Sequence, residues 1–213
     1  MLHNIVVNSP EYACFHEAGH AEAALRVGAR VLEMELYKEQ PRSYGRTRVE
    51  KKQDSYIEQS RCIALGGFAA EYILYRAGRI VNEDGTSMSE SQFIQYAYGN
   101  AEQDFAAFWA TFNLPLLNTT QKEVDKQFMS FAIGMAQQDM KAATVERIAD
   151  ALLGAQKLTE AEVTEAATLR AQQQLVDSKV APNTRFWTFP CGRFRLKAVI
   201  HEWLLSAKNR WLR

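Results

Sequence analysis

Histidine and cysteine, which bind transition metals most readily, are scarce in this chain. Its 213 residues include four histidines and three cysteines. The low, odd cysteine count argues against a secreted disulfide scaffold, and no two cysteines form a C-x-x-C pair. A metal site would therefore depend on the few histidines and on some of the 25 carboxylates.

Other sequence features are missing altogether. No G-x-x-x-x-G-K-[ST] sequence occurs, so there is no P-loop to hold ATP phosphates. No apolar run approaches the roughly 18 residues that span a bilayer, and no signal-peptide pattern opens the chain. These absences predict a cytoplasmic protein without its own ATP-driven unfolding motor. An ATPase on a separate chain is still possible.

Two of the four histidines lie four residues apart, in His16-Glu17-Ala18-Gly19-His20. Positions i and i+4 of a helix share one face, so both imidazoles can reach one metal ion. Glu17 lies about 100° around the helix from His16, beside the water that such an ion activates. H-E-x-x-H on a helix is typical of zinc peptidases, with two ligands and a glutamate general base.

The helix that carries this motif has recognisable ends. Ser9 can cap it, Pro10 suits the first helical position, and Gly28 is a suitable stop. Gly19, inside the helix, costs about 1 kcal/mol relative to alanine. A second element that packs closely against the metal-binding face would offset that cost.

A third ligand must come from elsewhere, since a catalytic zinc usually has three protein ligands. His3 and His201 are the other histidines, and each lies near a terminus. The cysteines are dispersed, and Cys14 would point to the opposite side of the helix from His16. A carboxylate is therefore expected, and the residues alone do not say which one.

Four segments, in order, resemble the peptidase domain of the FtsH-type ATP-dependent metallopeptidases. Residues 13–21, A-C-F-H-E-A-G-H-A, resemble the catalytic helix of that family, and residues 65–71, L-G-G-F-A-A-E, resemble its L-G-G-x-A-A-E helix. Residues 99–105, G-N-A-E-Q-D-F, resemble its G-A-S-N-D-L segment. Residues 145–163 resemble the helix pair that closes the domain. The resemblance covers about residues 9–165.

This resemblance implies a ligand set. By position, His16, His20 and Asp104 would bind Zn²⁺, and Glu17 would be the catalytic base. Independently of the resemblance, the carboxylate of Glu71 is a candidate to orient a ligand imidazole; otherwise it is a structural or solvated glutamate.

The chain departs from the family pattern in three places. Glu102 and Gln103 replace Ser-Asn, so Glu102 competes with Asp104 as ligand; on a helix only one of the two can face the metal. Residues 81–95 form an apparent insert. The ATPase module and membrane helices of full-length family members are absent from the sequence.

The expected fold is mainly α, a zincin-like helical metallopeptidase domain over residues 1–180 with a small β-hairpin. Alternation over residues 31–37 predicts a strand, and residues 46–50 predict its partner. That hairpin either binds the substrate backbone by strand addition or is purely structural. Ser55 and Glu58 predict a capping box at the start of the next helix.

The function expected from these patterns is zinc-dependent hydrolysis of peptide bonds in unfolded or flexible polypeptides. The alternative is a non-catalytic relative that binds zinc or a partner through the same cleft. Such a relative would be expected to have lost the base or a ligand, so the presence of Glu17 favours activity. A zinc hydrolase acting on non-peptide amides is a third possibility that the sequence does not separate.

Residues 181–213 differ in character from the rest. Residues 185–213 hold seven Lys or Arg and one acidic residue, for a formal charge of +6 against −6 in the remainder. Apolar residues in this segment recur at helical spacing. The segment suits a membrane-surface helix or nucleic-acid contact, but the simpler expectation is a docking helix on the acidic body, or a homo-oligomer contact, with no nucleic-acid partner.

Removing residues 181–213 tests that expectation. If the apolar stripe packs on this chain or on a second copy, truncation lowers the melting temperature or dissociates an oligomer. Each large side chain buried there contributes roughly 1.5–3 kcal/mol. Unchanged melting temperature and oligomeric state, combined with lost binding to anionic vesicles, would favour the membrane-surface alternative.

Overall fold

The computed structural model describes residues 4–38, 43–111 and 121–177 of the chain. Those up to Val176 belong to one compact unit. The C-terminal segment 181–213 lies outside the described residues, so its predicted helix, and the boundary at residue 180, stay predictions.

The described part is mainly helical with a small antiparallel sheet, as expected. Its seven helices are α1 (Pro10–Arg26), α2 (Tyr56–Arg76), α3 (Glu90–Asn100), α4 (Glu102–Trp109), α5 (Gln121–Gln138), α6 (Ala142–Ala155) and α7 (Glu160–Asp177). Its five strands are β1 (Ile5–Val6), β2 (Arg30–Tyr37), β3 (Tyr44–Glu50), β4 (Ile80–Val81) and β5 (Lys157–Thr159).

Helix α1 is the centre of the fold and has the ends that its sequence predicts. The Ser9 hydroxyl accepts a hydrogen bond from the backbone N–H of Tyr12, and Pro10 occupies the first turn. Just beyond the C-terminus, Gly28 adopts a φ of +73°, a conformation that favours glycine. Every residue from Tyr12 to Ala24 is buried, so the helix is enclosed on all sides.

Helices α1 and α2 cross with backbone against backbone. A Cβ atom placed on Gly19 would lie 2.2 Å from the carbonyl oxygen of Gly66, and one on Gly66 would lie 2.5 Å from that of Gly19. Neither position can hold a side chain without moving the helices apart. The close packing expected beside Gly19 is therefore confirmed, and it accounts for a glycine inside α1.

The predicted hairpin is also confirmed. Strands β2 and β3 pair antiparallel, with Met34 opposite Thr47, and β5 pairs with the other side of β2. The sheet order is β3-β2-β5, so β3 is an edge strand among the described residues. It begins at Tyr44, two residues before the predicted start. Met34 is fully buried, whereas the opposite face of β2 carries charged pairs such as Glu33 with Arg48.

The start of α2 differs from its prediction. The chain enters the helix through a 3-10 turn at Gln53–Ser55. The Ser55 side chain makes no capping hydrogen bond and instead lies 3.4 Å from Asp54 Oδ1. The expected capping box is therefore wrong, because the 3-10 turn directs the hydroxyl away from the helix.

The apparent insert at residues 81–95 is ordered structure. It contains the end of β4, which pairs in parallel with β1, and the first half of α3. Ser89 and Gln92 form a capping box at the start of α3. The insert thus supplies about half of a helix that leads directly into α4.

No helix in the ranges described above is both long and apolar enough to cross a membrane.

The glycine crossing predicts opposite effects for two Gly→Ala substitutions. Gly19→Ala should destabilise the protein by about 1–3 kcal/mol, the usual cost of overpacking, because the new methyl group meets the Gly66 carbonyl. Gly134→Ala in α5, where a Cβ meets no atom within 4 Å, should stabilise it by about 0.5–1 kcal/mol. Chemical denaturation measures both. Equal effects at the two positions would show that the crossing is not tight.

Candidate metal centre

Three side chains from two distant segments converge at one point. His16 and His20 project from α1, and Asp104 projects from the first turn of α4. Asp104 Oδ2 lies 3.1 Å from His16 Nε2 and 3.2 Å from His20 Nε2, and the two Nε2 atoms are 3.1 Å apart. The three atoms form a nearly equilateral triangle.

The outer nitrogen of each imidazole is already engaged. His20 Nδ1 lies 2.7 Å from the carbonyl oxygen of Ile63 and must donate to it, because a carbonyl only accepts. His16 Nδ1 lies 2.8 Å from Glu71 Oε1 and donates to that carboxylate. In the neutral imidazoles both Nε2 atoms are then proton acceptors with lone pairs directed into the triangle.

The triangle therefore consists of three acceptors without a donor. With both imidazoles neutral, the buried Asp104 Oδ2 has no hydrogen-bond donor beside it. Three such atoms repel one another unless a cation lies between them. Two ligands at 2.0–2.1 Å from a tetrahedral zinc are about 3.3 Å apart, close to the spacing observed. His16, His20 and Asp104 can thus hold a metal ion.

The chain matches no known family model and no curated protein. The assignment of the site therefore depends on its own geometry and chemistry.

Without a metal, protons take the place of the cation. Burial by itself lowers the pKa of His16, but its hydrogen bonds to Asp104 and Glu71 outweigh burial and raise the pKa well above 6.5. Burial likewise opposes ionisation of Asp104, but the two histidines hold the pKa of Asp104 well below its ordinary value. Metal binding must displace these protons, so affinity falls as the pH is lowered.

The structure decides between the two candidate carboxylates on α4. Asp104 points into the triangle, whereas Glu102, two residues earlier on the same helix, is exposed to solvent. Glu102 is therefore wrong as the alternative ligand. The separation of about 200° between positions i and i+2 of a helix accounts for the opposite directions.

Glu71 lies where its proposed orienting role requires it. Its side chain is fully buried on α2. Its Oε1 accepts hydrogen bonds from His16 Nδ1 and, at 2.7 Å, from the side-chain nitrogen of Asn100. Nearby, burial and the charge of Glu71 raise the pKa of Tyr12 well above 10, so the Tyr12 hydroxyl keeps its proton. Asn100 is a contact that sequence reasoning missed.

Gly67 makes room for the His16 ring. A Cβ at position 67 would lie 2.4 Å from His16 Cε1. The imidazole therefore rests directly on the backbone of α2, which fixes its plane. The two consecutive glycines of α2 make different contacts. Gly66 packs against the α1 backbone, and Gly67 packs against the His16 ring.

Glu17 is buried beside the sheet and lies outside the triangle of ligands. Its Oε2 accepts a hydrogen bond of 2.7 Å from Thr47 Oγ1 on β3. A Cβ at Gly45 would lie 2.2 Å from Glu17 Cγ, so β3 approaches this carboxylate closely. Positions 45 and 47 share one face of the strand, because side chains alternate between its faces. This alternation is the sequence signal that could have identified Gly45 and Thr47 together.

Substitutions on α4 test the ligand set. We expect Asp104→Ala to weaken zinc binding by more than about 100-fold, since losing even a residue that supports a ligand costs 10–100-fold. Glu102→Ala, two residues away and exposed, should bind zinc as wild type does. Competition with a chromophoric chelator measures both affinities. Unchanged affinity in Asp104→Ala, or equal losses in the two variants, would contradict the assignment.

Proposed function

We propose that this chain is a zinc-dependent endopeptidase, a metalloprotease that hydrolyses peptide bonds in unfolded or flexible polypeptides. The observation that carries the proposal is the convergence of His16, His20 and Asp104 on one point, with Glu17 on the same helix as the two histidines. Two imidazoles and one carboxylate form the ligand type of many catalytic zinc sites, which leave a fourth position for water. We also propose a zincin-like fold related to the FtsH-type metallopeptidases.

The proposed chemistry divides between the metal and Glu17. Zinc would polarise the scissile carbonyl and lower the pKa of the attacking water. Glu17 would take the proton from that water and later deliver it to the nitrogen of the leaving amine. Thr47 donates to Glu17 Oε2, which leaves Oε1 as the oxygen that accepts the proton. The hydrogen bond also orients the carboxylate before substrate arrives.

The hairpin supports a polypeptide as substrate. Strand β3 contacts Glu17 through Gly45 and Thr47, and it is an edge strand within the described part of the chain. An extended peptide can add to such an edge through backbone hydrogen bonds. Its scissile bond would then lie beside the proposed base. A stably folded protein offers an extended segment only after local or global opening.

The consequence for substrate choice follows from the absence of a P-loop. The chain alone should cut flexible peptides and disordered proteins without ATP and leave stably folded proteins intact. Degradation of folded proteins would require an ATPase on another chain to unfold them.

Glu17→Gln tests the catalytic proposal. The amide keeps the size of the side chain but cannot accept a proton, so we expect zinc binding to persist and peptide hydrolysis to fall by about 10²–10⁴-fold. Glu102→Gln makes the same chemical change at an exposed position and should retain full activity. The measurement is cleavage of fluorogenic peptides and of a disordered protein by the zinc-loaded proteins.

Three other outcomes would count against the proposal. Equal cleavage by Glu17→Gln and wild type would place the activity elsewhere or in a contaminant. Zinc binding by wild type without cleavage of any flexible substrate would favour the non-catalytic alternative. ATP-stimulated degradation of a stable folded protein by this chain alone would contradict the proposed substrate requirement.

A further inference from the structure

Two halves of the metal centre come from separate parts of the fold. Helices α1 and α2 cross tightly and supply His16, His20 and Glu71. Asp104 comes from α4, a helix of eight residues whose N-terminus has no side-chain cap. Ala101 is both the last cap of α3 and the first cap of α4. The position of Asp104 therefore depends on what holds this junction.

Asn100 is the last residue of α3 and connects the junction to the other half. Its side-chain nitrogen lies 2.7 Å from Glu71 Oε1, the same oxygen that accepts a hydrogen bond from His16 Nδ1. Asn100 is exposed to solvent, whereas Glu71 is fully buried. The amide therefore covers the Glu71–His16 pair from the solvent side and ties α3 to α2 at that point.

The chemistry of these groups fixes the direction of both hydrogen bonds. A carboxylate only accepts, so the amide nitrogen of Asn100 and the Nδ1 nitrogen of His16 both donate to it. If the amide were turned over, its carbonyl oxygen would face the carboxylate and repel it. Asn100 Nδ2 is also 3.4 Å from His16 Nδ1, and two donors at that distance favour bonds to Oε1 over a bond to each other.

We propose that Asn100 is a positioning residue of the metal centre, which holds the Glu71 carboxylate on His16 Nδ1 and sets the α3–α4 junction that carries Asp104. Through Glu71 it keeps the proton on His16 Nδ1, so that the lone pair of Nε2 faces the metal position. Through the junction it sets the distance of Asp104 from the two histidines. The inference rests on the metal site of the proposed function and not on the hydrolysis itself.

Zinc affinity is the readout that tests the proposal. Asn100→Ala should weaken zinc binding by about 10-fold or more, as for other residues that support a metal ligand. Because Asn100 is exposed, the melting temperature of the metal-free protein should stay close to that of wild type. Gln95→Ala, at an exposed position of the same helix, is the matched control and should change neither quantity. The Co²⁺-loaded Asn100→Ala protein should also show shifted visible absorption bands, since the ligand geometry changes.

A double-mutant cycle separates a role through Glu71 from a general loss of structure. In a Glu71→Ala background, Asn100→Ala should weaken zinc binding much less than it does in wild type, because the side-chain oxygen that it holds is gone. Equal zinc affinity for Asn100→Ala and wild type would overturn the proposal. So would equal weakening in the two backgrounds, or a fall in apo-protein melting temperature that accounts for the weaker binding.

Failure of this proposal is distinguishable from failure of the others. A wild-type protein that binds no zinc would overturn both the metal centre and the role of Asn100. Tight zinc binding without peptide hydrolysis would overturn the peptidase function alone, and the Asn100 cycle would still give its answer.

Discussion

The mutual repulsion of three proton acceptors is the interaction on which the arrangement of this protein depends. His16 Nε2, His20 Nε2 and Asp104 Oδ2 lie within about 3.2 Å of one another, and the outer nitrogens of both rings are fixed as donors to Glu71 and to the Ile63 carbonyl. With neutral imidazoles such a group is stable only around a metal cation, and without a metal, protons on the histidines take its place. The fold holds it together because α1 cannot rotate within its enclosed position, and because α2 lies directly against it through Gly66 and Gly67. The rigid crossing of two helices thus pre-organises a site that would otherwise open by repulsion.

The same crossing organises the proposed chemistry around α1. One side of the helix presents the two histidines to α2 and α4, and Glu17 is presented to β3, where Thr47 and Gly45 contact it. Metal ligation and proton transfer are therefore assigned to neighbouring faces of one helix. Different elements support the two proposed tasks, α2 and α4 beside the histidines and β3 beside Glu17.

Local rules were enough to predict the parts of this structure that are determined locally. Ser9, Pro10 and Gly28 marked the ends of α1 correctly, although the helix is enclosed on all sides and lacks the polar face that periodicity detects. Alternation found β2 and its partner β3. Ser55 does not cap α2, because a 3-10 turn precedes the helix. The path by which the chain enters a helix is not determined by the capping residues alone.

The contacts that complete the site are long-range, and sequence could not give them. Spacing showed that only one of Glu102 and Asp104 faces the metal, but the choice depends on how α4 packs. Thr47 is 30 residues from Glu17, and Asn100 is 29 residues from Glu71. The resemblance to a known family favoured Asp104, since it carries information about packing that residue types do not. It offered nothing for Asn100, which belongs to the helix that the apparent insert helps to build.

The enclosure of α1 has a consequence for kinetics. Its backbone amides can exchange with solvent hydrogen only when much of the domain unfolds, since every residue from Tyr12 to Ala24 is buried. The two histidines proposed as ligands would therefore not leave a bound ion by local fluctuation, whereas Asp104, on a helix of eight residues, could. Entry and escape of the proposed ion are expected on the α4 side, where its residence time would follow the opening rate of that helix.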